Sequence, residues 1–344
     1  MENLRKWIRN ARHQSLVQSL MPAVLAVMVA LGGEGFSVLC AALAVVGVAC
    51  FHLSMNLADD YFDYLDDMMD SRSKVIRKGF RAMTVKYPYL IDGSESPSSL
   101  RRAIVGFGAV AFVCGAVIFL LRTEANGFCA PDGSWWIVAI ALLAAFLGVF
   151  YSAPPLKLAF RGLGELIIGV IFGPLLMMGV YYSCSGRMAW EIVWISIPTG
   201  LLVLNILYTH SFIDQAGDRE CGKMTLALLL KSDKAALMAA YIFNLLPFAM
   251  IVVAVCLGFL HPLYLLVLVF APRAIWLCGS LRDFASGKQD VPPEPPHWLG
   301  KMPRWDAVRN AGVDWFLMRW MAARNIISGF CLATALAKII LMIV

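Results

Sequence analysis

The sequence predicts an all-α polytopic membrane protein with nine transmembrane helices. Of its 344 residues, 60% are hydrophobic and only 15% are charged, whereas a soluble domain averages about 45–50% apolar and about 25% charged residues. The apolar residues form long unbroken runs, not the alternating segments of about ten residues that are typical of a transmembrane β-barrel. At about 20 residues for each span, the chain has room for about eight to ten helices.

The first apolar run follows a short basic segment with Arg5, Lys6, Arg9 and Arg12. Such a segment is typical of the start of a signal peptide, but no small-residue cleavage site follows it and the next apolar run comes at once. We therefore expect the first run to stay in the protein as a helix. The nine predicted spans are, in chain order, 15–33, 36–58, 101–122, 135–152, 162–183, 189–212, 234–259, 261–281 and 325–343.

The basic residues predict the orientation of these spans. With a cytoplasmic N-terminus, 26 of the 29 Lys and Arg residues fall on cytoplasmic segments, and the exceptions are Arg122, Arg187 and Lys338. Cytoplasmic loops of membrane proteins carry an excess of Lys and Arg. We therefore expect a cytoplasmic N-terminus and an external C-terminus, as in the plasma membrane of a bacterium. The net charge of +6 fits a basic face next to anionic membrane lipid, so no nucleic-acid partner is expected.

The longest connection, 282–324, joins the last two predicted spans. It begins with a Pro-rich stretch at 291–296 and continues with Trp and Arg residues that include Trp298, Trp305 and Trp320. Tryptophan beside arginine is typical of a helix that lies in the headgroup region of a bilayer. A lid over a cytoplasmic cavity is the alternative interpretation of this segment.

A cluster of acidic residues follows the second span. Six of the 23 acidic residues lie within 12 positions: Asp59, Asp60, Asp63, Asp66, Asp67 and Asp70. If the helix continues, Asn56, Asp60, Asp63 and Asp67 share one face, and like charges at this spacing weaken a helix unless cations bind them. The alternative is a solvated helix end, but polar groups at membrane depth tend to be functional. Carboxylate and amide oxygens suit a hard divalent cation, and Mg²⁺ in particular.

A second acidic pair lies at the end of the sixth span. Asp214 and Asp218 are four residues apart and share a helical face, with His210 one turn earlier. The expected topology puts this pair on the same side of the membrane as the first cluster. Facing each other across a cavity, the two clusters would hold two Mg²⁺ ions and, through them, a diphosphate. Arg219 and Lys223 would contact phosphate oxygens, or alternatively extend to the headgroups.

These motifs resemble those of the UbiA superfamily of intramembrane prenyltransferases. The family's first motif, NDxxDxxxD, corresponds here to 59–67, with Asp59 in place of the usual Asn and with Asn56 nearby. Its second motif, DxxxD, corresponds to Asp214 and Asp218. A further block, 151–157 with 161–165, is similar to the MenA-like branch, which prenylates 1,4-dihydroxy-2-naphthoate in menaquinone synthesis. The resemblance covers about residues 10–275. The chain departs from that branch at 210–213, where the branch is rich in Asn and Arg, and in the length of 282–324.

The resemblance implies a single UbiA-like membrane domain over 1–344, with nine helices around a central cavity open to the cytoplasmic side. It implies Mg²⁺-dependent transfer of a polyprenyl group from an allylic polyprenyl diphosphate to an aromatic acceptor. The implied metal ligands are Asn56, Asp60, Asp63, Asp67, Asp214 and Asp218. The implied substrate-binding residues are Asn56, Tyr151, Lys157, Arg161, Arg219 and Lys223. Among these the basic side chains would neutralise phosphate oxygens, and an aromatic face such as that of Tyr151 would stabilise an allylic carbocation.

Two alternatives remain open from the sequence. The first keeps the family and changes the acceptor to a hydroxybenzoate, a homogentisate or a glycerol-phosphate lipid. The second is an ion-coupled secondary transporter, which would place its acidic residues at mid-helix. Apart from Glu165 near a helix start, the clustered acidic residues here lie at predicted cytoplasmic helix ends, which favours the enzyme.

Overall fold

The computed structural model describes residues 2–65, 87–220 and 222–344. Within these ranges, 9 helices are long and apolar enough to cross a membrane, which confirms the predicted number. They are His13–Ala30, Val38–Leu65, Pro97–Asn126, Trp135–Ser152, Gly164–Ser185, Trp190–Ile213, Asp233–Cys256, Pro262–Ala285 and Asp314–Ile343. The one β pairing recorded in the described ranges is an isolated bridge between Arg161 and Met224. The all-α fold class is therefore also confirmed.

The described helices are numbered here in chain order. Their bounds are Glu2–Asn10 (α1), Val17–Ala30 (α2), Val38–Leu65 (α3), Pro88–Ile91 (α4), Pro97–Asn126 (α5), Trp135–Ser152 (α6), Gly164–Val170 (α7), Leu176–Ser185 (α8), Trp190–Ile213 (α9), Gln215–Glu220 (α10), Leu226–Leu229 (α11), Asp233–Cys256 (α12), Ala271–Ala285 (α13), Trp305–Asn310 (α14) and Asp314–Ile343 (α15). A π-helical turn at Ile171–Leu175 joins α7 to α8. The 3₁₀ segments His13–Leu16 and Pro262–Phe270 extend the spans of α2 and α13.

The chain forms two compact units. The first consists of Met1–Leu158 with Leu175–Ala189, and the second consists of Ala159–Pro174 with Trp190–Val344. In the first unit α3 is the central helix, because it packs against α2, α5, α6 and α8. In the second unit α9 has this place and packs against α7, α12 and α15. Each unit contains one of the two acidic motifs, close to the C-terminal end of its central helix.

Helix α3 extends well past residue 58, where its apolar run ends. It continues through the first acidic residues as far as Leu65, at the limit of the described range. The physical reason is that this part of the helix is packed inside the unit: Leu57 is fully buried, and Asp60 and Asp63 are each only 1% exposed. The acidic residues therefore extend the helix on a buried face.

In the second unit, α9 and the π-helical turn approach each other closely through glycines. A Cβ atom on Gly173 would lie 2.4 Å from the Cα of Gly200, so neither position has room for a side chain. Small residues allow helix backbones to approach in this way inside membranes. This contact fixes α7, which carries Glu165 one residue after its start, against α9.

The last span begins at Asp314, well before the predicted start at residue 325. The prediction was wrong at this end because Arg319 interrupts the apolar run although its side chain is fully buried. Its guanidinium donates hydrogen bonds to the carbonyl oxygens of Ser280 and Gln289, both at 3.2 Å. A buried polar group is tolerated when it is hydrogen-bonded, so hydropathy alone places the helix start too late.

The connection before α15 is not one continuous interfacial helix. It contains a 3₁₀ turn at His297–Leu299 and the short helix α14. Arg273 donates to the carbonyl oxygen of Trp298 at 2.6 Å, and Asn325 donates to that of Leu299 at 3.0 Å. Two spans thus hold this connection through its backbone, an arrangement that requires no regular helix.

Candidate active site

The first acidic motif lies on the last two turns of α3 as the structure describes it. Asp60 and Asp63 are buried and Asn56 is half-buried, and their spacing puts them on one side of the helix. The amide nitrogen of Asn56 donates to the carbonyl oxygen of Ala11 and to the hydroxyl of Ser15, both at 2.9 Å. Its amide oxygen is the atom suited to a metal ligand. Asp67, which the sequence adds to this set, lies outside the described residues.

Two residues that sequence reasoning did not select complete this cluster. The guanidinium of Arg12 lies 2.9 Å from Oδ2 of Asp59 and 3.3 Å from Oδ1 of Asp60, and it also donates to the carbonyl oxygen of Asn56. The hydroxyl of Tyr89 donates to Oδ2 of Asp60 at 2.8 Å. The sequence indicates only that Arg12 belongs to the basic segment that helps to set the orientation of the spans. The signal for both contacts is spatial, since 47 and 29 residues separate the paired positions.

The electrostatics of this cluster favour a charged Arg12 and a neutral Tyr89. Burial acts to lower the pKa of Arg12, but the carboxylates of Asp60 and Asp59 outweigh it and raise the pKa above the usual value. Burial and then the charge of Asp60 raise the pKa of Tyr89. The phenol therefore keeps its proton and remains a hydrogen-bond donor to Asp60.

Asp59, which replaces the Asn of the family motif, is held by its neighbours. Its Oδ2 accepts from Arg12, and its Oδ1 accepts from the hydroxyl of Ser152 at 2.5 Å. Ser152 is the last residue of α6, so this contact ties the end of α6 to the motif. Tyr151 precedes it and is half-buried, and Lys157, which follows the turn at 154–156, is also half-buried and has a φ of 42°. Tyr151 and Lys157 thus belong to the same unit as the first motif.

The second motif continues the line of α9. The amide of Asp214 donates to the carbonyl oxygen of His210, and that of Asp218 donates to Asp214, at 3.0 and 2.9 Å. Asp214 and Asp218 therefore share a face as predicted. Asp218 is buried and Asp214 is half-buried. A Cβ atom on Gly217 would lie 2.6 Å from Oδ1 of Asp214, so this glycine makes room for the carboxylate.

Three basic side chains of the predicted set lie in the same unit as the second motif. Nζ of Lys223 is 4.0 Å from Oδ1 of Asp218. Arg161 forms the isolated β-bridge with Met224, and the amide of Gly162 donates to the carbonyl oxygen of Met224 at 3.0 Å. Arg219 is exposed on α10. The backbone thus joins the segment with Arg161 to the segment with Lys223, two segments that lie about 60 residues apart in the sequence.

The donor set of each motif fits a hard divalent cation. In the part of the chain that the structure describes, no three metal-ligating side chains come together. Each unit instead offers two carboxylates on one helical face, Asp60 with Asp63 and Asp214 with Asp218. Mg²⁺ commonly binds through one or two carboxylates and fills its remaining positions with water and substrate phosphates. These oxygen donors therefore fit Mg²⁺ better than a soft metal.

Within the residues that the structure describes, nine apolar helices define a polytopic integral membrane protein, and carboxylate pairs lie next to basic side chains at the ends of two of these helices. A comparison with family models matches residues 19–290 to the UbiA prenyltransferase family, and the chain belongs to this family. The protein is accordingly a membrane-embedded prenyltransferase, which confirms the enzyme class expected from the sequence motifs.

Relatives with named activities match most of the chain. A 1,4-dihydroxy-2-naphthoate octaprenyltransferase of Mycobacterium tuberculosis is 25% identical over 293 residues, which cover 85% of this chain and 91% of the relative. The enzyme of the same name from Bacillus subtilis is 23% identical over 77% of this chain and 78% of its own. A 2-carboxy-1,4-naphthoquinone phytyltransferase of Synechocystis is 36% identical over 89 residues, which cover 26% of this chain and 29% of that protein.

Solved structures share the fold. A structure described as digeranylgeranylglyceryl phosphate synthase aligns with 96% of this chain and 99% of its own, with a TM-score of 0.59 and 15% identity. A UbiA homologue from Archaeoglobus fulgidus bound to GPP and Mg²⁺ aligns with 94% of this chain and 99% of its own, with a TM-score of 0.57 and 15% identity. The same homologue has also been solved with Cd²⁺. Divalent metals thus bind to members of this family.

Proposed function

We propose that this enzyme transfers a polyprenyl group from an allylic diphosphate to 1,4-dihydroxy-2-naphthoate, a step of menaquinone biosynthesis. The observation that supports this acceptor is the similarity, along most of the chain, to octaprenyltransferases named for it in M. tuberculosis and B. subtilis. The structure supports the diphosphate chemistry, because each unit has a carboxylate pair beside basic side chains.

Mg²⁺ is the proposed cofactor, and the carboxylates are its proposed ligands. Asp60 and Asp63 of the first motif bind it, together with Asp67 and with the amide oxygen of Asn56. Asp214 and Asp218 bind it in the second motif. When bound, Mg²⁺ neutralises the negative charge of a diphosphate and so makes it a better leaving group. Tyr89, through its hydrogen bond to Asp60, orients the carboxylate for this task.

The basic residues act on the diphosphate oxygens. We assign this role to Lys157, Arg161, Arg219 and Lys223, because a guanidinium or ammonium group pairs well with phosphate. As the allylic carbon–oxygen bond breaks, its electron pair leaves with the diphosphate, and these side chains compensate the added charge. The face of Tyr151 stabilises the positive charge that remains on the allylic group.

The acceptor then forms the new bond. The ring carbon of dihydroxynaphthoate that bears the carboxylate attacks the allylic carbon with a π electron pair. The carboxylate leaves as CO₂ and returns its bonding electrons to the ring. The isoprenoid tail stays in contact with membrane lipid, in keeping with its apolar character. Carbon–carbon bond formation thus requires no redox partner.

The acceptor is tested with purified protein in detergent. Geranylgeranyl diphosphate and longer diphosphates are incubated with Mg²⁺ and dihydroxynaphthoate, and products are identified by mass spectrometry. Parallel reactions contain a hydroxybenzoate, homogentisate or a glycerol-phosphate lipid. Prenylated naphthoquinol is the expected product. Product only in a parallel reaction would contradict the acceptor and leave the prenyltransferase class intact.

The metal ligands are tested in the same assay with Asp60→Asn and Asp214→Asn. Each substitution keeps the shape of the side chain and removes one charged oxygen ligand. Loss of a metal interaction worth several kcal/mol corresponds to a decrease in turnover of roughly a hundredfold or more. Turnover close to wild type in either variant would contradict the assignment of that carboxylate.

A further inference from the structure

Glu165 is a buried carboxylate to which the mechanism above gives no task. It lies in the first turn of α7 and is 5% exposed. Its Oε1 accepts a hydrogen bond of 2.6 Å from the hydroxyl of Ser211 on α9. The backbone amide of Leu226, at the start of α11, lies 3.3 Å from both carboxylate oxygens. One side chain thus receives donors from two separate places in the chain.

These two donors enclose the second motif. Ser211 precedes Asp214 by three residues, and Leu226 follows Lys223 by three residues. Both ends of the segment from 212 to 225 are therefore adjacent to residues that contact the same buried carboxylate, that of Glu165. Asp214, Asp218 and Lys223 lie between these two ends. The β-bridge between Met224 and Arg161 is a second contact that holds the C-terminal end of this segment.

The two oxygens of one carboxyl group are well suited to close this segment, because each of them can accept a hydrogen bond. Burial excludes water, which would otherwise compete with the Leu226 amide for the carboxylate. A glutamine at this position has a single acceptor oxygen in its side chain, so it cannot offer two oxygens to Leu226 while it also accepts from Ser211.

We infer that Glu165 is a positioning residue for the second motif: by fixing both ends of 212–225, it sets Asp214, Asp218 and Lys223 for Mg²⁺ and diphosphate. The inference rests on the proposed function, in which these three residues bind the metal–diphosphate. Glu165 itself contacts neither group. It acts through Ser211 and the Leu226 amide, in the way that residues behind metal ligands orient them.

The test measures binding of geranyl diphosphate in the presence of Mg²⁺ by isothermal titration calorimetry, with no acceptor present. We expect Glu165→Gln to weaken this binding about tenfold, at the lower end of what residues behind metal ligands contribute. Ser211→Ala should weaken it in the same direction, and the effects of the two changes should not be additive in the double variant, because Glu165 and Ser211 are in direct contact.

Ser196→Ala is the matched control. Ser196 is a fully buried serine on the same helix, and its hydroxyl donates to the carbonyl oxygen of Val193. This control should bind geranyl diphosphate as the wild type does, and its Tm should change about as much as that of Ser211→Ala. Equal weakening in Ser196→Ala and Ser211→Ala would show a general loss of packing and would overturn the inference.

Failure of the proposed function and failure of the positioning role give different results in this experiment. If the wild-type protein does not bind geranyl diphosphate with Mg²⁺, the proposed function is wrong. If the wild type binds but Glu165→Gln and Ser211→Ala bind equally well, only the positioning role is wrong. If Glu165→Gln does not fold, Ser211→Ala, which removes a single hydroxyl, decides the question against Ser196→Ala.

Discussion

At the scale of single residues, Asp59 and Asp60 are adjacent in the chain but differ in their surroundings. Asp59 lies between Arg12 and Ser152 and is fully engaged as an acceptor on both oxygens. Asp60 is almost completely buried and accepts from Tyr89. The guanidinium of Arg12 contacts both carboxylates, and its contact with Asp59 is the shorter of the two. Asp59 is therefore suited to hold Arg12, whereas Asp60, which has the longer contact to Arg12 and stands at the first Asp of the family motif, is the proposed metal ligand.

The two aspartates should consequently respond differently to the same substitution. We expect Asp59→Asn to keep most of the turnover and to lose about 1.5–3 kcal/mol of stability, the contribution of a hydrogen bond to a charged group. Asp60→Asn should lower the turnover, because this substitution removes a proposed metal ligand. Turnover and Tm of both variants are measured at saturating Mg²⁺. A larger loss of turnover in Asp59→Asn than in Asp60→Asn would contradict this division of roles.

Tyr89 gives the cluster a pH dependence whose direction follows from its raised pKa. In the unfolded chain a tyrosine ionises at about pH 10, whereas the folded protein keeps the Tyr89 proton to higher pH. Above pH 10 the unfolded state binds fewer protons than the folded state, so the free energy of unfolding falls with rising pH. Below pH 10 the phenol is protonated in both states and adds no slope.

Tyr89→Phe should remove this slope. The hydrogen bond to Asp60 makes the wild type more stable than the variant below pH 10, and the difference should shrink as pH rises from 10 to 11. The Tm of both proteins is measured from pH 8 to pH 11, and the interval from pH 8 to pH 9 serves as the internal control. A difference in Tm that stays constant over the whole range would contradict the proposed protonation of Tyr89.

The sequence predicts which residues form the two acidic motifs, but it does not predict the contacts that these residues make. Asp60, Asp63, Asp214 and Asp218 were found because helical spacing within one segment is visible in the sequence. Their contacts were not, because Arg12 reaches α3 across more than 40 residues and Glu165 closes a segment from another helix. Such pairs depend on the tertiary packing of helices, and a single sequence contains no periodicity that reports it.

At the scale of elements, hydropathy predicts where a span is but not where its helix ends. The number of spans and the bounds of α6 agree with the structure, because a run of apolar residues must be helical to satisfy its backbone in lipid. The ends of α3 and α15 differ, because polar side chains there are buried with partners. Asp60 accepts a hydrogen bond from Tyr89, and Arg319 donates hydrogen bonds to backbone carbonyl groups. Hydropathy assigns these residues to water.

Arg319 should therefore stabilise the connection between the last two spans. Arg319→Met keeps a long apolar side chain but removes the donor to the carbonyl oxygens of Ser280 and Gln289. The buried carbonyl of Ser280 then stays unsatisfied, at a cost of about 1–3 kcal/mol. We expect the connection to open locally and trypsin to cleave after Lys288 faster than in the wild type. Cleavage is followed by mass spectrometry.

Arg282→Met is the matched control for this change. Arg282 lies on α13, and its side chain is 66% exposed, so its removal leaves no buried group without a donor. It should change neither the Tm nor the cleavage after Lys288 appreciably. Equal protease sensitivity of Arg282→Met and Arg319→Met would show that burial of Arg319 has no particular role in this connection.

At the scale of the whole molecule, the distribution of basic residues supports a proposed orientation with a cytoplasmic N-terminus. The three exceptions to the charge asymmetry each have a partner. Buried Arg122 donates to the carbonyl oxygens of Ser183 and Cys184. Lys338 pairs with Glu191 at 3.2 Å, and Arg187 pairs with Glu34 at 3.3 Å. Local contacts thus account for these three residues in the proposed orientation, which rests on the distribution of the other 26.

The orientation can be tested with the natural thiol of Cys129, which is exposed in the connection between α5 and α6. On an external connection, it should react with a membrane-impermeant maleimide in intact bacterial cells. A cysteine introduced by Ser286→Cys, exposed directly after α13, should react only after permeabilisation, because the charge asymmetry puts that end in the cytoplasm. Labelled peptides are located by mass spectrometry, and buried Cys184 should stay unlabelled in both conditions. Labelling of Ser286→Cys in intact cells, with protection of Cys129, would contradict the proposed orientation.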